Sequence, residues 1–575
     1  MKNSIFCIVF LAAFVIFSPD VWSQRRNILY ENPDVPVMIN QAGYLPDATK
    51  YCMLAGKASC EFEVINVESN ETVYRGTMTH SGRKDIGYYV TGDFTTVRQP
   101  GTYYIRSGEV RSFPFHISKS VYDEPMQLAL SYFSKQRCGN STTGFMTPCH
   151  VDDGIRLDNN KHQDVSGGWH DASDVRKWVD ATIYGMVGIL RMAETVGHER
   201  YRNRIVEELK WGNRYFLNMQ EPEGYVMSHV GGDVFVHADN NRWTDNRLET
   251  DDNRIIQTKP AEISSQFTFA AVEAEMYEYM KTADPAYARK CLDAAVKCFD
   301  WCVRTVENYT ASTHGIAIVA AVELYKATKE AKYKDFAFKM ADKLVALQVS
   351  EKKEPLQGFF RDSEKSDDFY QAIFQGDNPL IGLCKLLTAF PDQKNGKYRD
   401  AVKQYCYQYL QFISERNAFG LLPYGVYLER QGGDRNVGRY CYRYFMHPEQ
   451  EWWVGINANI AGKAVGLIMA SRLLNDPKLT VTAQRQLDWI FGANPFGVSS
   501  MIGVGYSHPG IPLTYVNLKE FSPATPHIPG AVINGIGGDR NDLPDLFAGS
   551  WQTCEYWTPM ICYTLWLMAE LSAGN

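Results

Sequence analysis

Phe113-Pro114-Phe115-His116-Ile117-Ser118-Lys119-Ser120-Val121 is where the chain changes its hydrophobic period. Upstream, from about Val37 to Ser118, apolar residues come in short β-rich runs. These are Val37-Met38-Ile39, Tyr51-Cys52-Met53-Leu54, Phe62-Glu63-Val64-Ile65, Gly101-Thr102-Tyr103-Tyr104-Ile105 and the Phe113-led run just quoted. Gly, Asn and Pro punctuate them, and short strands with frequent turn signals predict an immunoglobulin-like β-sandwich over 37–118. Downstream the period is helical. Amphipathic stretches run near 122–136, 176–196, 202–219, 262–281, 285–304, 313–327, 331–348, 369–389, 396–415, 452–475, 478–492 and 552–573. About twelve helices with uneven loops and no short repeat suggest six hairpins closed into a ring, whereas a solenoid would show even, self-similar repeats.

The whole chain has 575 residues, with 59 Lys+Arg against 66 Asp+Glu and a net charge of −7. Hydrophobic residues make up 45% and charged residues 22%, which excludes a disordered, collagenous or multi-span membrane protein. The mild acidity and the lack of a long basic run argue against nucleic acid as a partner. Aromatic residues reach 13%, a surplus that suits either stacking on sugar rings or a large core.

Lys2, the apolar stretch from Ile5 to Phe17 and Val21-Trp22-Ser23 read as a signal peptide over 1–23, so the expectation is an exported, periplasmic or secreted protein. Cys7 lies inside the apolar stretch, which argues against a lipid anchor, and no other segment is long and apolar enough to make an integral membrane protein. Export permits disulfides, and Cys52 could pair with Cys60. Cys291, Cys298 and Cys302 sit at helical spacing and read as small buried hydrophobes.

Four long loops, 137–175, 220–261, 416–451 and 493–551, interrupt the helical region, and long loops in a compact domain usually carry function. The first contains Asp164-Val165-Ser166-Gly167-Gly168-Trp169-His170-Asp171-Ala172-Ser173-Asp174. Asp171 and Asp174, just before a helix expected near Val175, can both point at one water, one as general base and the other orienting it. Alternatively both are helix caps. The Gly167-Gly168 pair would let backbone approach a ligand, and Trp169 would offer a stacking face. Upstream, Cys138, Cys149 and His150 join His170 as a candidate closed zinc site of the structural kind, with a Cys138–Cys149 disulfide and two ordinary histidines as the other reading.

At the far end of the chain, Trp551-Gln552-Thr553-Cys554-Glu555-Tyr556-Trp557 opens the last helical stretch. Glu555 is the one charged residue between Asp545 and Glu570. A carboxyl set among Trp and Tyr loses hydration and holds its proton, as a general acid must. The other reading is an ordinary Glu favoured by the helix dipole. Trp243, Trp452 and Trp453, in or beside the long loops, are candidates for a sugar platform, with packing as the alternative for one of the adjacent pair. His229 and His237 are further candidates for the cleft.

Taken together these residues resemble glycoside hydrolase family 9. The resemblance rests on the Gly-Gly-Trp lead and the run from His170 to Lys177, on Asn494-Pro495 with Gly503 and Gly505, on His527-Ile528-Pro529-Gly530 and on Cys554-Glu555. Asn40-Gln41-Ala42-Gly43-Tyr44-Leu45-Pro46 is similar to the opening of the immunoglobulin-like module found in one branch, and Asp284-Pro285-Ala286-Tyr287-Ala288 is similar to a helix start there. The resemblance implies a small all-β immunoglobulin-like sandwich followed by an all-α (α/α)6 toroid over 122–573, hydrolysing β-linked glucans with inversion. It implies Asp174 as general base, Asp171 holding the water, Glu555 as general acid, and a structural zinc on Cys138, Cys149, His150 and His170. Calcium is the other metal considered, and no organic cofactor is expected. Two departures stand out. No Arg follows the Asn-Pro segment until Arg540, and Cys554 replaces the Asn usual before the acid. These put plain cellulose in doubt and bring mixed-linkage glucan, xyloglucan or oligosaccharides into play as the β-glucan partner. A polysaccharide lyase and a non-catalytic glycan binder are the competing classes.

Overall fold

The computed structural model describes residues 36–573 apart from 146–147, 197–200, 232–243, 245, 252, 352, 392–394, 430–434, 510–527 and 547–549. The signal-peptide reading of 1–23, Trp243, His237 and His527 lie outside the described residues.

The N-terminal part is a sheet structure. Its strands are β1 (Tyr51–Ala55), β2 (Cys60–Asn66), β3 (Thr72–His80), β4 (Tyr89–Asp93), β5 (Gly101–Ser107), β6 (Val110–Arg111) and β7 (Phe115–Ile117). They run in the order β1-β4-β3-β2-β5-β6, with β7 also on β5, and every pairing is antiparallel. Alternation on β2 sends Phe62 and Val64 inward and Glu61 and Glu63 outward, as a strand with one wet face requires. Strand β3 has no counterpart among the sequence-predicted runs because its inward positions are weakly apolar. Gly76 is one of them, and a Cβ there would lie 2.7 Å from the Phe62 ring. Cys52 and Cys60 are both free thiols, so the disulfide considered for them is absent.

The Asn40-to-Pro46 motif joins the two parts. Tyr44 is fully buried, edge-on to Phe94 and Phe115 at 5.4 and 5.5 Å. Its neighbours turn the other way: Asn40 Nδ2 donates to Asp488 Oδ1 at 2.9 Å, and Gln41 Nε2 to the Gly497 carbonyl at 2.7 Å.

The C-terminal part is helical. Its helices are α1 (Asp123–Lys135), α2 (Val179–Val196), α3 (Arg202–Asn218), α4 (Ile263–Met280), α5 (Pro285–Thr305), α6 (Ala311–Thr328), α7 (Ala331–Ala346), α8 (Asn378–Ala389), α9 (Gly396–Lys403), α10 (Phe412–Ser414), α11 (Asn457–Leu474), α12 (Pro477–Ile490), α13 (Trp551–Cys554) and α14 (Thr558–Ser572). Helix α2 packs on α4, α4 on α6, α6 on α8, α8 on α11, α11 on α14, and α14 back on α2. Most residues of α2 and all but one of α14 are buried, which is what a helix apolar nearly all round must do. Amphipathic helices back this ring from outside: α1 packs on α14, α3 on α2, α5 on α4, α7 on α6, α9 on α8 and α12 on α11. Helix α5 starts as its sequence predicts, with Pro285 in the first turn and the Asp284 side chain accepting from the Tyr287 amide. Its Cys291, Cys298 and Cys302 are buried, free thiols.

Several predicted helices differ from the observed ones; the 452–475 stretch, for one, is helical only from Asn457. The 369–389 stretch becomes helical only at Asn378, where Pro379 occupies the first turn. The 396–415 stretch is α9 and α10 joined through π-helical turns over Gln404–Gln411. The 552–573 stretch is split into α13 and α14, with Glu555, Tyr556 and Trp557 outside both.

Candidate active site

The helix expected near Val175 begins four residues later. Val175 has φ +58°, a left-handed conformation costly for a β-branched residue, so the helix cannot run through it. Lys177 and Trp178 instead form strand β9 (Lys177–Trp178) of a small sheet that also holds β8 (Ile155–Arg156), β10 (Met227–Val230) and β11 (Ile255–Pro260). Asp171 and Asp174 therefore sit on a tight loop and not on a first helical turn, which removes the cap reading.

Buried charge holds this loop from beneath. The Asp153 carboxylate accepts from Arg254 Nε and Nη2 at 2.8 and 2.6 Å, with Lys177 Nζ at 2.9 Å. Burial alone would raise the Asp153 pKa, but Arg254 and Lys177 overcome it and hold it below the usual range. Arg254 Nη1 also donates to the strained Val175 carbonyl at 2.8 Å, and Lys177 Nζ to the Val165 carbonyl at 2.7 Å. Neither Asp153 nor Arg254 carries a local motif, so sequence reasoning missed both.

Two readings of the loop are corrected. Trp169 is fully buried, and its indole donates to Glu208 Oε1 at 2.7 Å; it is core, with no face left for a sugar. Gly167 and Gly168 have φ +93° and +74°, and a Cβ on Gly168 would lie 2.7 Å from Tyr215 Cβ. The pair lets the loop fold onto α3, and it does not open the backbone to a ligand.

Cys138, Cys149, His150 and His170 converge, all buried, with their donor atoms within 4.8 Å of one another. Cys138 Sγ is 3.4 Å from His150 Nδ1, and Cys149 Sγ is 3.7 Å from His170 Nε2. A tetrahedral ion with Zn–S about 2.3 Å and Zn–N about 2.0 Å has edges of about 3.5 Å, so the donor set fits zinc. Both thiols are free, which sets aside the disulfide. Burial would push the Cys138 thiol up, but the hydrogen bond from Cys149 and the charges of Lys177, His150 and His170 bring it well below its ordinary value. Because His170 directly precedes Asp171, whatever holds the four ligands also holds the carboxylate loop.

Glu555 reaches this loop from the other end of the chain. Its backbone is extended, and the Asn534 amide donates to its carbonyl at 2.7 Å. The segment lies beside the loop through an Ala172–Trp557 bridge, and the Thr558 amide donates to the Asp171 carbonyl at 2.9 Å. This corrects the first-turn placement of Glu555. Thr558-Pro559 was the available signal, since Pro in a first turn marks the true helix start.

The three carboxyls differ in surroundings. Asp171 is buried; Trp557 Nε1 donates to its Oδ2 at 3.1 Å, while Oδ1 is buried with no protein partner among the described residues. Burial first, then the Asp174 charge and more weakly Glu555, push its pKa well above the ordinary carboxylate value. Asp174 is the most open, with its side chain 18% exposed and Arg176 Nη1 at 3.4 Å. Glu555 is buried, and Ser173 Oγ donates to its Oε1 at 2.5 Å.

Aromatic rings flank these groups. Trp557 lies against Phe374 at 4.5 Å and Trp452 at 6.0 Å, and Trp452 also meets Trp551 at 6.5 Å. Trp452 is half-buried in this cluster, whereas Trp453 is buried against Gly537 and belongs to packing. His229 is buried beneath Trp178, stacked at 4.0 Å. Phe374, Trp551 and Trp557 were not singled out from sequence, though the last two stand in the segment that carries Glu555.

The family model for glycosyl hydrolase family 9 matches residues 122–560, and that for a cellulase N-terminal ig-like domain matches residues 32–112. A cellodextrinase of Butyrivibrio fibrisolvens is 24% identical over 508 residues, covering 82% of this chain and 85% of its own. The crystal structure of a metagenome-derived glycoside hydrolase family 9 endoglucanase has a TM-score of 0.69 at 20% identity, covering 93% of this chain and 99% of that one. A zinc-binding triple mutant of a family 9 endoglucanase has a TM-score of 0.67 at 19% identity, over 92% of this chain and 99% of that one. At these identities the structural likeness speaks to the fold alone.

Proposed function

This chain belongs to glycosyl hydrolase family 9 and is a glycoside hydrolase, and on that premise we propose that it is an exported, inverting enzyme cleaving β-1,4-glucosidic bonds. The lyase and the non-catalytic binder are thereby set aside. The observation that carries the reading is the meeting of Asp171 and Glu555, drawn from opposite ends of the helical part, around a loop that also bears Asp174. The closed contact cycle of six inner helices, each backed by an outer one, supports an (α/α)6 toroid and explains the meeting, because α2 and α14 are neighbours in it.

Inversion needs two carboxyl groups on opposite sides of the scissile bond, about 6.5–9.5 Å apart, with water between. Glu555 passes its proton to the glycosidic oxygen as the C1–O bond breaks. A water attacks C1 from the other face and gives its proton to Asp174. Asp171 Oδ1, buried and without a protein partner among the described residues, is suited to the second hydrogen of that water. The half-buried rings of Trp452 and Trp557 supply an apolar face for a pyranose. Zinc on Cys138, Cys149, His150 and His170 would take no part in the chemistry; a four-ligand site is closed, and it would fix His170 and with it Asp171. Among the described residues no further group of three or more His, Cys, Asp or Glu side chains accompanies it.

The relative named a cellodextrinase, together with the departures near Asn494-Pro495 and at Cys554, favours oligosaccharides or a decorated glucan over crystalline cellulose. The test is a panel of cello-oligosaccharides, mixed-linkage glucan, xyloglucan, glucomannan and cellulose, followed by product analysis. Turnover of soluble β-1,4-glucans ahead of cellulose is expected; no turnover of any β-1,4-glucan would refute the reading. Metal analysis is expected to find one zinc per chain, with chelation lowering the melting temperature.

A further inference from the structure

The two catalytic segments exchange hydrogen-bond donors. Ser173, buried between Asp171 and Asp174, donates its hydroxyl across to Glu555 Oε1 at 2.5 Å, a contact between residues 382 positions apart. In the opposite sense, Trp557, two residues beyond Glu555, donates its indole N–H back to Asp171 Oδ2 at 3.1 Å. Between these two bonds run the Ala172–Trp557 bridge and the bonds from the Thr558 amide and hydroxyl to the Asp171 carbonyl, both 2.9 Å.

The Ser173 bond has a direction that matters to the chemistry. A protonated carboxyl has one carbonyl-like oxygen and one that carries the proton. A hydroxyl donating to Oε1 makes that oxygen the carbonyl-like one and leaves the proton on Oε2. As the proton departs to the leaving group, the Glu555 carboxylate forms and the Ser173 bond becomes charge-assisted, hence stronger. An interaction that strengthens as charge develops lowers the barrier and not merely the ground state.

We propose that Ser173 is a positioning residue for the general acid: its hydroxyl anchors Glu555 Oε1, assigns the transferable proton to Oε2 and stabilises the carboxylate left after transfer. The inference rests on the reading of Glu555 as the acid. It goes beyond that reading by naming the group that orients the acid, which the family match does not assign. Among the described residues, the charged and titratable groups near Glu555 include Asp171 and Asp174 on the loop, Tyr556 beside it and Tyr132 of α1, with Arg176 next to Asp174.

The test compares wild type, Ser173→Ala and Ser173→Cys, with Glu555→Gln as control, on a cello-oligosaccharide and on 2,4-dinitrophenyl β-cellobioside. The aryl leaving group departs without protonation, so it bypasses the acid. For Ser173→Ala on the oligosaccharide, kcat is expected to fall about tenfold with KM within about twofold. The basic limb of the pH profile should move up by about one pH unit, because a donor to the charged form is gone. On the aryl substrate the loss should be within about twofold. Ser173→Cys, close in size but a weak donor, should move the limb the same way and by less, so the test survives a poorly folding alanine variant. A basic limb that stays in place while kcat falls equally on both substrates would overturn the role of Ser173. Glu555→Gln separates the two failures. If it spares the aryl substrate while Ser173→Ala leaves the limb unmoved, only this inference falls. If it loses both substrates alike, the reading of the acid falls first.

Discussion

The two ends of the helical ring use the same kinds of side chain to opposite ends. At the N-terminal ends of α2 and α14, Asp171, Asp174 and Glu555 crowd three acids together, and burial with like charge pushes the Asp171 pKa well up. At the C-terminal ends, each inner helix contributes a charge that finds an opposite partner. Arg191 pairs with Glu275, Lys385 Nζ lies 2.7 Å from Glu323 Oε1, and Arg472 pairs with Glu570, which also accepts from Trp566 Nε1 at 2.8 Å. There burial would raise the Glu323 pKa, yet Lys385 and Arg191 bring it down to about 2. One end bears unfavourable charge in place, and the other closes the ring with favourable pairs. Strained and like-charged groups persist at functional sites because the rest of the fold over-determines them.

Breaking each end separately sharpens the contrast. The largest effect is expected from Asp174→Asn, which should lower kcat about 10³–10⁴-fold, in line with the loss of a general base. Its melting temperature should be unchanged or higher; activity close to wild type would remove Asp174 from the base role. At the opposite end, Lys385→Ala should cost about 1.5–3 kcal/mol, since it removes the 2.7 Å partner of buried Glu323, which keeps Lys326 at 3.0 Å, while Glu275 keeps Arg191. Its kcat at low temperature should stay within about twofold of wild type, as read by thermal melts and initial rates. A Lys385→Ala protein that melts normally but loses activity would contradict the division between the ends.

The pH responses should have opposite signs. The pKa of Asp171 is raised in the folded protein, so its ionised form opposes folding. That penalty is absent below the ordinary Asp value and complete above the folded one, so stability rises as pH falls through the folded pKa. Asp171→Asn should therefore raise the melting temperature at neutral pH while abolishing most activity. Glu323 is depressed, so its contribution is present above the ordinary Glu value of about 4.3 and is lost as pH falls toward the folded value, which is about 2. Glu323→Gln should flatten that acid limb of the melting curve, and it should leave the Asp171 effect untouched.

Much of this layout was legible in the sequence, for identifiable reasons. The change of period near Val121 separated sheet from helix because periods of 2 and 3.6 are imposed by backbone geometry alone. The Cys138, Cys149, His150 and His170 cluster was found because those residue types have few other reasons to gather. What failed was local backbone detail. Val175 carries no sign of its positive φ, so the periodicity starts the helix after Asp174 too early. Thr558-Pro559 signals a new start, yet the apolar run on either side masks it and draws Glu555 into the predicted helix. Trp169 shows the other limit: indoles suit sugars and cores equally well, and only burial separates the two. Asp153, Arg254 and Lys177 meet only in three dimensions, and Ser173 gives no hint in sequence of its bond to Glu555.

Proton NMR of the first products of cellotetraose hydrolysis probes the facing acid and base most directly, read before the sugars mutarotate. Attack by a water held by Asp174 and Asp171, on the face of the sugar opposite Glu555, predicts that the new reducing end appears first as the α-anomer. The β-anomer appearing first would mean a covalent enzyme intermediate and carboxyl groups only about 5–5.5 Å apart, which would contradict the account.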